Sequence, residues 1–310
     1  MSAPAGPAGG AGPAGPTGLV GLVLSGPTPR VGVEPFIMEL IAGAEQVLHG
    51  AGLSVLLLVV ADLAEELAAY RRWSADRTVE AVVVVDLVLG DERPGVLTGL
   101  GLPFVLAGHA EDATGCTSVV TDDAGAAAAA VELLASLGHE RVGRVSGPAA
   151  YVHTAERTRA LRAAGQRLGV ATCVAEADYT AEGGVRAALE LLGRPAPPTA
   201  LVFDNDVMAV AVLEHLTRRG VDVPGELSLL ATDDSPLCEL AVPALSALSI
   251  DVHERGARLG RAVLRVLGGE PPRTLPGPPV RLVRRASTAP APAGDAQRAG
   301  TSGSGPTRGA

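Results

Sequence analysis

The chain has 310 residues, enough for two domains of ordinary size, and 47% of them are apolar, so a sizeable core is available. Only 2% are aromatic, which leaves Ala, Val, Leu and Gly to fill that core, and the formal net charge of -9 argues against a nucleic-acid surface spread over these residues, because phosphate contacts need clustered Lys and Arg. Cys116, Cys173 and Cys238 show no CxxC spacing and suggest neither a disulfide framework nor a metal knot, which fits a reducing cytosol.

In chain order, residues 1–17 are Gly, Ala and Pro with almost nothing to bury, and are expected to be disordered. They show neither the basic start nor the apolar stretch of a secretory signal, and no later run approaches the length of a membrane span. Apolar runs at 19–24, 54–60, 81–85, 104–106 and 118–120 read as strands, with helical stretches between them that are clearest at 36–50 and 63–74. Alternation of this kind means a parallel, doubly wound sheet. An Ala-rich helix follows Asp123, with a carboxylate at its start and Gly138 at its end, and leads to a strand at 141–146. The break at Gly147 and Pro148 is read as the first crossing into a second lobe.

That lobe is expected to open with a helix at 154–168, a strand near 172–176, the DYTAEGG turn and a helix to Leu192. The run 201–203 is too short and unbroken for a half-exposed antiparallel strand, and it stops at Asp204, Asn205 and Asp206. A helix starts there. Met208, Val212, Leu213 and Leu216 form one apolar stripe, Arg218 and Arg219 sit in the last turn where cations suit the dipole, and Gly220 ends it. Pro224 blocks any continuation, and a second buried run at 227–231 stops at Thr232, Asp233 and Asp234. Ligands of parallel sheets sit outside the carboxyl ends of strands, so Asn205 and Asp233 are expected to point into one crevice. Residues 245–252 then cross back, a helix at 254–267 packs on the first lobe, and 280–284 returns to the second.

The NDxMA segment (Asn205, Asp206, Met208, Ala209), the RxGVxVP turn around Gly220 and Pro224, the strand ending in DDSP and the closing RRAST together resemble the core of LacI/GalR-type transcription regulators. The segment around Glu156, Arg157 and Arg162 resembles the family's ERxxGFRxAL in part, with Ala160 and Leu161 where Gly and Phe are usual. That core is similar to the bilobed sugar-binding proteins of the bacterial periplasm. The resemblance implies an α/β fold of two similar doubly wound parallel-sheet lobes joined by a three-crossing hinge. It assigns 18–147 plus about 253–278 to the N-terminal lobe and 148–252 plus about 279–289 to the C-terminal lobe, between tails at 1–17 and 290–310. It also implies a cytoplasmic homodimer that senses a sugar- or polyol-like effector. DNA would be a partner only through a helix-turn-helix upstream, where the family carries one and this sequence has its Gly/Ala/Pro tail; a stand-alone binding protein is the alternative.

By the same resemblance Arg157, Asn205 and Asp233 line the effector cleft, and their charged and amide groups suit a ring of hydroxyls. Asn205 and Asp233 could equally cap the helices that follow them. Tyr179 falls where the family places an aromatic ring over the sugar, with Phe36 as a second such ring, each having a packing role as its alternative. Ile250 stands where sugar-responsive relatives carry Gln, which points to an effector less polar than a hexose. The pairs Asp122/Asp123 and Asp233/Asp234 are explained by helix starts, the six histidines show no i, i+4 pair, and GxGxxG, GxxxxGK[ST] and GxSxG are absent. No catalytic residue, cofactor or metal is therefore expected, and the chain is not read as an enzyme. The helices at 36–50 and 124–137 have more apolar surface than one sheet-facing stripe requires, from dimerisation or from tight internal packing.

Overall fold

A computed structural model describes residues 17–26, 35–109 and 115–292. The expected tails at 1–17 and 290–310 lie outside the described residues, apart from Thr17 and 290–292. The first lobe begins with β1 (Leu19–Ser25), α1 (Pro35–Leu48), β2 (Ser54–Val60), α2 (Leu63–Asp76), β3 (Ala81–Val84), α3 (Arg93–Leu100), β4 (Phe104–Leu106) and β5 (Thr117–Val120). The second holds α4 (Asp123–Ser136), β6 (Arg141–Ser146), α5 (Val152–Leu168), β7 (Ala171–Glu176), α6 (Ala181–Leu192), β8 (Ala200–Phe203), α7 (Asp206–Thr217), β9 (Ser228–Thr232), α8 (Pro236–Leu240) and β10 (Ser246–Ile250). The chain returns to the first lobe for α9 (Val252–Leu267) and β11 (Thr274–Pro276), then ends in the second with β12 (Val280–Val283).

Each lobe is one six-stranded sheet, ordered β11-β5-β4-β3-β1-β2 and β12-β10-β9-β8-β6-β7. All pairings are parallel except β10 with β12, where Ser249 opposes Arg281. The central strands are buried on both faces, as unbroken Val, Leu and Ala runs require when helices cover both sides of a sheet. Both lobes are therefore doubly wound, and the chain passes between them three times.

The first crossing is not at Gly147 and Pro148. Strand β6 lies between β8 and β7 in the second sheet, and α4 packs Ala126, Ala130 and Leu134 against Val142, Leu161, Leu230 and Leu248 of that lobe. The chain thus crosses at 121–122, and 123–147 belongs to the second lobe. The Gly-Pro break is instead a strand-to-helix turn in which a Cβ on Gly147 would run into the phenol ring of Tyr179. Strand β11 carries no sequence signal of its own, being three residues that end in proline at the sheet edge.

Much of the apolar surface on helices α1 and α4 is covered within the chain, although Met38 of α1 stays 51% exposed. Helix α4 packs on α5, and α1 packs on α9. The α1/α9 approach runs through glycines: a Cβ on Gly43 would meet the carbonyl of His253, and one on Gly256 the carbonyl of Leu40. The lobes also touch away from the hinge. Val88 bridges Tyr151 in antiparallel fashion, with Leu89 N donating to Ala150 O at 3.2 Å and Val152 N to Leu87 O at 2.9 Å. The Val152 side chain enters the first lobe's core beside Val84, Leu87 and Leu106. Among the described residues no helix is long and apolar enough to cross a membrane.

Candidate functional site

The strands of both sheets end at the interlobe cleft, and their last residues carry its chemistry. A cavity of about 100 Å³ lies there, walled from the first lobe by Phe36, Asp86 and Arg255 and from the second by Arg157, Tyr179, Asn205 and Asp233. Strain is concentrated at the same place. Of the non-glycine residues described with positive φ, Asp86 (50°), Tyr179 (64°) and Asp233 (71°) all line this cavity, and each such conformation costs about 1–3 kcal/mol and persists only where its surroundings impose it.

A buried ion network forms the floor on the second-lobe side. Arg144 donates from Nε and Nη2 to the two carboxylate oxygens of Asp204, at 2.7 and 2.6 Å, and Gly147 N donates to the same group at 3.0 Å. Burial alone would raise the Asp204 pKa, but Arg144 and Arg157 outweigh it and hold the carboxyl below its ordinary value. Arg157 reaches Asp123 through Nε at 2.7 Å and stands 3.9 Å from Asp204 through Nη1. Burial opposes its charge, yet these two carboxylates keep its pKa above the usual range.

Two groups on opposite walls are left over. The Asp233 carboxylate makes no hydrogen bond among the described residues, and burial, with Asp206 adding to it against Arg157 and Arg255, lifts its pKa to about 7. Arg255 comes from the other lobe. It donates from Nη2 to Ala107 O at 3.1 Å and lies 5.7 Å above the Phe36 ring, but its buried Nε has no partner. Arg93, Arg144 and Arg157 each have a carboxylate at ion-pair distance, and Arg255 has none among the described residues. Burial accordingly lowers its pKa. Thr121 Oγ1, at the first crossing, is also buried, unpartnered and part of the lining.

An aromatic cluster closes one side. His153 Nε2 lies 2.8 Å from the Tyr179 hydroxyl, and Tyr151 stacks on both rings at centroid distances of 5.4 and 6.4 Å. Burial, with Arg157 nearby, depresses His153 to about 4, so it is neutral at physiological pH.

Five of the six residues expected from sequence line this cavity: Phe36, Arg157, Tyr179, Asn205 and Asp233. Ile250 does not. It is 3% exposed and lines a neighbouring cavity on the hinge side. Asn205 has the capping role considered for it, since Oδ1 caps α7 by accepting from Met208 N at 2.9 Å, and it lines the cavity while Nδ2 donates to Tyr179 O at 3.1 Å. Asp233 is no cap: Ser235 Oγ accepts from Leu237 N and starts α8. Sequence reasoning missed Arg255, Asp86 and His153. Arg255 did leave a signal, because an arginine in the first turn of α9 stands at the positive end of the helix dipole, where a cation is disfavoured.

The sequence pattern of the family described as periplasmic binding protein-like domain matches residues 131–288. The transcriptional regulator MalR of Streptomyces coelicolor is 33% identical over 230 residues, covering 70% of this chain and 66% of that protein. A LacI family transcriptional regulator from Bifidobacterium animalis superposes with a TM-score of 0.81 at 32% identity, over 89% of this chain and 99% of that one. The chain belongs to the LacI family. A solved complex of the regulator CelR with cellobiose is similar to this LacI-family core at a TM-score of 0.79 and 26% identity, over 87% of this chain and 84% of that one. The core spans about 66% of the length of MalR, and the relatives it matches are transcription regulators.

Proposed function

We propose that this LacI-family core closes on a sugar- or polyol-like effector in the interlobe cavity, and that closure selects the lobe orientation read by DNA-binding heads. The observation that carries this reading is a pair of groups on opposite lobes with bonding capacity left open, the Asp233 carboxylate and the Arg255 Nε. Asp233 offers an acceptor from the end of β9, and Arg255 offers a donor from the first turn of α9. A ligand with adjacent hydroxyls donates to one and accepts from the other. It thereby ties the lobes together, and its differential contact with the closed form drives the change. Tyr179 and Phe36 supply ring faces for the ligand's C–H side. The relative solved with cellobiose supports the carbohydrate class.

In this reading the protein acts by binding and not by turnover, in the cytoplasm, and DNA contact requires a helix-turn-helix joined to the core. Dimerisation is part of the proposal too: Leu237, Leu240 and Val242, at 39%, 77% and 84% exposure, form an apolar patch on the second lobe. Titration calorimetry against a panel of mono- and oligosaccharides, polyols and nucleosides tests the sensing claim. One carbohydrate class is expected to bind saturably, with Asp233→Ala and Arg255→Ala each weakening it at least tenfold. Absence of saturable binding across the panel would refute it.

A further inference from the structure

Arg93 opens α3, where the positive end of the helix dipole disfavours a cation, and it is only 3% exposed. Two carboxylates hold it there. Nη1 donates to Glu66 Oε1 at 3.0 Å, while Nε and Nη2 donate to the two oxygens of Asp91 at 2.9 and 2.6 Å. Glu66, fully buried on α2, also accepts from Tyr70 and from Ser25 at the end of β1. Burial works against the charge on Arg93, yet Asp91 and Glu66 keep its pKa above the usual range. A buried ionic cluster is weak evidence for stability, since apolar side chains of similar volume often serve as well.

The remaining contacts of this cluster lead to the cleft. Arg93 Nη2 also donates to Asp86 O at 2.9 Å, and Asp91 Oδ2 accepts from Val88 N at 3.2 Å. Both bonds fall on the loop after β3, which at Asp86 takes a φ of 50°, a conformation that needs its surroundings to impose it. Across the lobes the same loop meets the start of α5. Val152 is the first residue of that helix, so its N–H finds no acceptor within the helix, and Leu87 O supplies one at 2.9 Å. Beside it Leu89 N donates to Ala150 O at 3.2 Å, and Tyr151 at the N-cap position supplies no side-chain cap. The loop brings Asp86 to the cavity, and α5 brings His153 and Arg157.

We propose that Arg93 is a positioning residue for the cleft: clamped by Glu66 and Asp91, it fixes the loop from Asp86 to Leu89, and that loop sets Asp86 in one wall and caps the helix carrying Arg157 in the other. The anchoring belongs to the two lobes themselves, and its bearing on effector binding rests on the sensing reading above. A lysine at 93 keeps a cation between the carboxylates. As a single point charge it cannot span Glu66, Asp91 and Asp86 O at once, as the planar guanidinium fork does.

The test is residue-resolved amide hydrogen exchange of the full chain, followed by NMR without ligand. In wild type the Leu89 and Val152 amides are expected to be protected. In Arg93→Lys both should exchange at least tenfold faster, while Val82, bonded to Pro103 O within the first lobe, and Leu229, bonded to Ser287 O within the second, stay within threefold. Gly43→Ala is the control for simple loss of stability, because it loosens the first lobe at α1/α9 and should leave the ratio of Leu89 to Val82 exchange unchanged. If Arg93→Lys does not fold, Asp91→Asn, which keeps the side chain's shape and removes the charge facing Arg93, is read in the same way. Free exchange of Leu89 and Val152 in wild type overturns the proposal. Unchanged protection in the folded variant does so too, as does a loss shared equally with Val82 and Leu229. Since no ligand is present, failure here leaves the sensing reading standing, and a panel titration without binding leaves the anchoring standing.

Discussion

The Asp233 carboxyl titrates near 7 instead of near its ordinary value of 3.8, because burial disfavours its charge. Between those values the folded protein holds a proton there that the unfolded chain has released, so this group's contribution to stability is complete at low pH and is lost as pH rises through about 7. His153, neutral down to about 4, works with the opposite sign, adding stability as pH rises from about 4 toward 6.5. The two slopes oppose each other in mild acid, so the informative quantity is a difference between variants. Asp233→Asn is expected to gain in melting temperature relative to wild type by a few degrees between pH 5 and pH 8, followed by thermal shift. A hydroxyl donating to Asp233 favours its ionised form. Effector affinity should therefore rise with pH through 7 and that dependence should vanish in Asp233→Asn, measured by calorimetry in two buffers of different ionisation enthalpy. The floor beneath is costlier to disturb. The Arg144 and Asp204 side chains are 2% and 1% exposed, and Arg144→Met should cost about 3–5 kcal/mol in urea denaturation by removing the carboxylate's bidentate partner and leaving it only Gly147 N and the more distant Arg157, with Asp204→Leu in the same chain restoring much of it.

At the scale of elements, the close approach of α1 and α9 depends on absent side chains. Gly43→Ala or Gly256→Ala must push backbone against backbone, for an expected loss of about 1–3 kcal/mol in chemical denaturation, with Gly50→Ala, whose Cβ meets nothing within 4 Å, as the neutral control. What was legible in the sequence follows the same physics. Helix α7 and the strands flanking it could be read because periodicity, a capping Asn205 and a closing Gly220 all agree at one place. Strand β11 could not, since three residues held by an edge pairing with β5 have no pattern to show. The lobe boundary was misplaced for a related reason: Gly147 and Pro148 announce a turn, and only the packing of α4 against α5 tells which lobe that turn belongs to. In the site, Asn205 and Asp233 were found because topology points the ends of β8 and β9 at the cleft, whereas Asp86, beyond the end of β3, carried no motif to mark it. Arg255 was not found either, because it lies in the first turn of α9, outside the motifs that marked the other residues.

At the scale of the molecule, the closure proposed above would act on the one described contact that joins the lobes by backbone pairing away from the hinge, the segment from Leu87 to Leu89 against Ala150 to Val152. It adjoins cavity residues on both sides, Asp86 in one lobe and His153 in the other. Val152→Asp would place a charge in the first lobe's core on closing, so effector affinity should fall at least tenfold and the radius of gyration in X-ray scattering with effector should stay at its open value. The interleaved path also governs how the protein is made. Strand β11 completes the edge of the first sheet and β12 that of the second, and α9 arrives between β10 and both. On the ribosome the first lobe therefore waits, its α1 glycine face bare, while nearly all of the second is synthesised. Both lobes are finished within a few residues of each other, so a C-terminal truncation before β11 would leave two unfinished sheets and no intact lobe.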